Sequence, residues 1–114
     1  MERSLEPDCD EFTEAHAAGV ALVSGTDAAV YPHGFNARQF PIMVARGMTP
    51  MEAIQSATSV AARYMGWSDR VGQVTAGRFG DVIAVKGDPL KDITRLQDVG
   101  VVIKGGLAFK LPQP

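Results

Sequence analysis

Cysteine is nearly absent from this sequence: Cys9 stands alone, which excludes an intrachain disulfide framework and suits a reducing compartment. Positive charge is not in excess either. With 11 Lys and Arg against 13 Asp and Glu, and no basic run, the chain offers no electrostatic case for nucleic acid or an anionic membrane. No apolar stretch approaches the roughly twenty residues that cross a bilayer, and "MERSLEPDCDEF" lacks the apolar core of a secretory signal. These absences describe a soluble, cytoplasmic protein. Histidine is scarce as well, with only His16 and His33. At 114 residues the chain can bury one modest core, and a second independent one is not expected.

What is present reads as an α/β chain. After Pro7, Asp8 and Glu11 stand in capping-box spacing and open "DEFTEAHAA", a helix closed by Gly19. Val20 to Thr26 is apolar on both faces, the pattern of a parallel strand buried between layers. Pro32 and Gly34 punctuate the next loop. Asn36 and Gln39 then read as the cap of a helix reaching Gly47, in which Pro41 must kink the helix or delay its start.

"TPMEAIQSATSVAARYMG" predicts one longer helix, with a Thr49 cap, Pro50 at the first position, Glu52 closing the capping box and Gly66 ending it. Its stripe of Met51, Ile54, Ala57, Ala61, Tyr64 and Met65, flanked by Thr58, is the expected core face. From Gly72 the pattern changes to short strands: Asp81 to Val85, "VGVVIK" and "LAFKL", the last two joined by the two-residue turn Gly105-Gly106. A boundary near Trp67 to Val71 separates residues 1–66 from 67–114.

In a parallel α/β layout, ligands gather beyond the carboxyl ends of the strands. Asp27 stands at that end of Val20 to Thr26, and His33 follows on the same side. Each has an ordinary alternative: Asp27 as a turn or capping residue, and Pro32-His33-Gly34 as a common loop tripeptide. His16 precedes the strand, whose length of roughly 20 Å sets it at the opposite end. There it reads as a solvated residue at a helix C-terminus. Cys9 has no histidine in its neighbourhood of sequence to activate a thiolate. The glycines of "TAGRFGD" and "KGGLA" fit tight turns and lack the spacing of a phosphate loop.

Four motifs keep a recognisable order and spacing: "SGTDA", "PHGFNAR", "GMTPMEAI" with its "AT" and Gly66, and "GRFGDVIAVKGDPLKDI". Through them the stretch from Phe12 to Lys110 resembles the C-terminal part of the metal-dependent amidohydrolases, in the branch of imidazolonepropionase-like enzymes and Xaa-Pro dipeptidases. The resemblance implies a C-terminal fragment of a TIM-barrel amidohydrolase. Residues 1–66 would supply the last barrel strand plus helices, and residues 67–114 part of a small β-sandwich. It also implies that Asp27 contacts a divalent metal, zinc in the complete enzyme, and shuttles a proton. A metal brings the pKa of bound water to about 7. Asp27 would accept the proton as hydroxide attacks a carbonyl, then deliver it to the leaving amine. His33 matches a loop position at the pocket mouth, where it would contact substrate.

The family's His-x-His pair, its carboxylated lysine and its middle-strand histidines have no counterpart in this sequence. A zinc site takes three or four protein ligands, and a complete barrel about 250 residues. The expectation is therefore a segment of a hydrolase of small amides or peptides, active with the rest of the barrel and, alone, inactive and without tightly bound zinc. A second expectation belongs to another class: a non-catalytic remnant that binds or self-associates with a second copy through unpaired strand edges.

Overall fold

The structure is a computed structural model that describes residues 5–25 and 36–112. Helix α1 spans Leu5–Ala17, starting before Pro7 rather than after it. Proline is tolerated there because the first turn of a helix has no backbone acceptors for its N–H groups. Gly19, at φ 81°, turns the chain out of the helix in the left-handed conformation that glycine adopts without a Cβ penalty.

Pro41 delays a helix start, one of the two outcomes its position allowed. A single turn of 3-10 helix, Asn36–Arg38, leads into α2 at Gln39–Ala45, so that Pro41 falls in the first α-helical turn. The expected long third helix is two helices. Helix α3 covers Pro50–Ser56 and α4 covers Ser59–Met65. Thr49 caps α3 as read from sequence, its Oγ1 accepting the N–H of Glu52 at 3.1 Å, and Gly66 ends α4 at φ 76°. Between them Thr58 takes φ −127°, ψ −95°, and its hydroxyl donates to the carbonyl of Ile54 at 2.8 Å. A threonine hydroxyl bonded to its own helix competes with the backbone ladder, and here the helix breaks.

The break rotates the two halves out of one shared stripe. Met51, Tyr64 and Met65, expected in the core, are exposed, and the buried positions are Ala53, Ser56 and Ala62. The core gathers Met43, Met48, Ala53 and Ile93, with Phe12, Leu22, Phe40 and Leu96 packed around it. Ile93 comes from a 3-10 turn, Ile93–Gln97, in the strand-bearing half of the chain. Each large apolar side chain so covered contributes on the order of 1.5–3 kcal/mol.

That half forms an antiparallel sheet of β1 (Val82–Val85), β2 (Val99–Lys104) and β3 (Leu107–Lys110), in the order β1-β2-β3. Gly105 and Gly106 have φ of 59° and 81°, the two positive values of a type I′ hairpin turn, as their sequence predicts. Asp81 fastens this turn to the start of β1. Its Oδ1 accepts the Gly105 N–H at 2.9 Å and its Oδ2 accepts the Lys104 ammonium at 2.8 Å. Those bonds, Lys104 first, hold its carboxyl below the usual range.

Residues 20–25, the described part of the expected strand Val20 to Thr26, belong to no ladder. A parallel strand needs neighbours of its own kind, and among the described residues every strand pair is antiparallel. No described helix is long and apolar enough to cross a membrane.

Candidate functional site

Asp27 and His33 both fall in residues 26–35, outside the described residues. What the structure does describe is the chain leading to Asp27. The N–H of Ser24 donates to the carbonyl of Ser56 at 2.9 Å. Ser56 is the last residue of α3, and in a continuous helix its carbonyl would accept from Val60 four residues on. The break at Thr58 releases that carbonyl for Ser24. Ser56 itself is buried, with its hydroxyl turned back to the carbonyl of Ala53 at 2.6 Å.

A second hold comes from Gln39, the first residue of α2. Its Nε2 donates to the carbonyl of Gly25 at 3.1 Å, and its Oε1 accepts the Ser24 hydroxyl at 3.4 Å. Sequence reasoning assigned Gln39 to a cap with Asn36. The structure spends its amide on a different segment, and both ends of that amide are used.

His16 is not the solvated residue its position suggested. Its Nε2 bonds Oε2 of Glu52, and three quarters of its side chain is covered. The pair lines a pocket of about 220 Å³ against Val20 and Leu22, with Met48, Gln55 and Arg63 completing much of the wall. His16 comes foremost among the groups that hold the Glu52 carboxyl below its ordinary value; burial pushes it up, and the Thr49 hydroxyl and N–H also lower it. One signal for this pair was present in the sequence. His16 lies in the last turn of α1 and Glu52 in the first turn of α3, where helix dipoles favour a cation and an anion respectively.

Among the described residues no three His, Cys, Asp or Glu side chains converge. His16 and Glu52 supply two donors, and these are spent on each other. The described residues therefore do not fit a zinc centre, which takes three or four protein ligands.

Comparison with known proteins identifies the family. Residues 1–108 match the model of the amidohydrolase family. The chain is 43% identical over 106 residues to the ochratoxinase of Aspergillus niger, an alignment covering 89% of this chain and 22% of that protein. A solved Xaa-Pro dipeptidase with bound methionine in its active site is 44% identical, with a TM-score of 0.89 over 94% of this chain and 27% of that one. A molinate hydrolase is 29% identical, with a TM-score of 0.73 over 88% of this chain and 26% of the other. The chain thus spans about a quarter of the proteins it resembles. Since the family model takes in nearly every residue and the fold agrees with solved hydrolases, the chain belongs to the amidohydrolase family.

Proposed function

We propose that this chain is the C-terminal segment of a metal-dependent hydrolase that cleaves amide or peptide C–N bonds. The observation that supports the reading best is the match of residues 1–108 to the amidohydrolase model, together with the likeness to a solved Xaa-Pro dipeptidase. In this reading residues 1–66 carry the last barrel strand with its helices, and residues 67–114 carry part of a β-sandwich. Asp27 handles the proton: it accepts one from the attacking water and passes it to the leaving amine. His33 contacts substrate at the pocket mouth. The metal, zinc in the family resemblance, takes its ligands mainly from the remaining barrel, so the isolated 114-residue chain neither hydrolyses amides nor retains zinc.

The test is Asp27→Asn in the complete hydrolase. Turnover should fall by about 10² or more with the fold intact, the usual worth of a positioned proton-transfer group. A near-normal rate would overturn the role of Asp27. In the same enzyme His33→Ala should alter substrate affinity or specificity more than metal content. Metal-dependent turnover by the 114-residue chain alone would overturn its dependence on the rest of the barrel.

A further inference from the structure

We infer that Gln39 is a positioning residue for Asp27, acting through the backbone of Ser24 and Gly25; this rests on the reading of Asp27 as the proton-carrying group. The argument begins with what a primary amide can do. Gln39 has one acceptor and one donor end, and Ser24 and Gly25 present the matching donor and acceptor. The Ser24 hydroxyl meets Oε1, which turns Nε2 toward the Gly25 carbonyl. Only a side chain carrying both functions at this reach satisfies the two together.

The carbonyl of Gly25 belongs to the peptide plane that joins Gly25 to Thr26. With that plane held by Gln39 and the Ser24 N–H held by Ser56, the chain is fixed on two sides just before the acid. Asp27 follows within about 7 Å of covalent chain. A group that transfers protons must lie within about 2.6–3.2 Å of its partner, and a displacement near 1 Å can cost about a hundredfold in rate. Neither Gln39 nor Ser24 needs to touch substrate to matter.

The experiment is a double-mutant cycle in the complete hydrolase, with Gln39→Met, which keeps length and loses both hydrogen bonds, and Asp27→Asn. Gln39→Met should lower kcat by about 10- to 100-fold with KM little changed. In the Asp27→Asn background the same substitution should have almost no further effect, because the group it positions is gone. Ser24→Ala, a smaller change with less demand on folding, should lower kcat in the same sense, and thermal melting of each variant reports folding separately. An unchanged kcat in Gln39→Met, or an equal loss in both backgrounds, would overturn the positioning role while leaving Asp27 in place. An Asp27→Asn enzyme of normal rate would overturn the reading of Asp27 and this inference with it.

Discussion

The imidazole of His16 and the carboxylate of Glu52 bond directly although 36 residues separate them in sequence. The pair ties the C-terminal turn of α1 to the N-terminal turn of α3, and it stands at the opening of the segment that continues toward Asp27. Each partner sits where its helix dipole favours its charge. The contact adds a polar tie to the packing of Phe12 and Ala53 in the shared core.

Glu52 should make stability pH-dependent on the acid side. Its folded pKa lies below 4.5, so the unfolded chain binds its proton first as pH falls. The stabilisation is present above about 4.5 and is lost as pH drops through the lowered folded value. Glu52→Gln should give a shallower loss of melting temperature between neutrality and about pH 3. Asp81 and Asp92, also held low, by Lys104 and Thr94, leave a residual acid limb in the variant. Identical limbs in the two proteins would mean that the His16 contact adds nothing to folding.

Gly72 should tolerate no side chain. Its φ is +99°, and a Cβ would stand 2.7 Å from the Cβ of Ala62 and 2.9 Å from the carbonyl of Thr58, beside the helix break. Gly72→Ala should cost about 1–3 kcal/mol through this overpacking together with backbone strain. Gly77 is the comparator, at φ +90° with open space around its Cβ position. Gly77→Ala should cost less, measured by urea unfolding, and equal losses would show that strain alone matters at Gly72.

The chain should associate with itself in solution. Val74 is 83% exposed, Phe109 69% and Tyr64 64%, and β3 pairs only with β2 among the described residues. Phe109 lies on β3 itself, whose second edge is unpaired among the described residues, and an apolar strand edge favours pairing with another copy. Sedimentation at micromolar concentration should show a mass that rises with concentration, and Phe109→Glu should weaken association by about tenfold, roughly 1.4 kcal/mol. A compact monomer that unfolds cooperatively would mean the exposed faces are tolerated.

Legibility in the sequence followed the range of the interaction. Thr49, Pro50 and Gly66 marked helix ends correctly, and Gly105-Gly106 marked the hairpin, because caps and tight turns are satisfied by atoms a few residues away. Thr58 was misplaced on the flank of a continuous helix. Its local bond to Ile54 was available to sequence reasoning, whereas Ser24, which takes the released Ser56 carbonyl, is far away in the chain. The exposed Tyr64 and Met65 follow from the helix break.

The amino-acid order by itself determined the Thr49 cap, the Gly66 stop, the hairpin turn and the motif order that marks an amidohydrolase, since each depends on backbone chemistry or spacing within a short window. Tertiary structure alone decided that Gln39 serves Gly25 rather than Asn36, that His16 meets Glu52, and that Ile93 joins the helical core. The choice was made by which distant group packing brought within about 3 Å, and hydrogen bonds discriminate steeply at that distance.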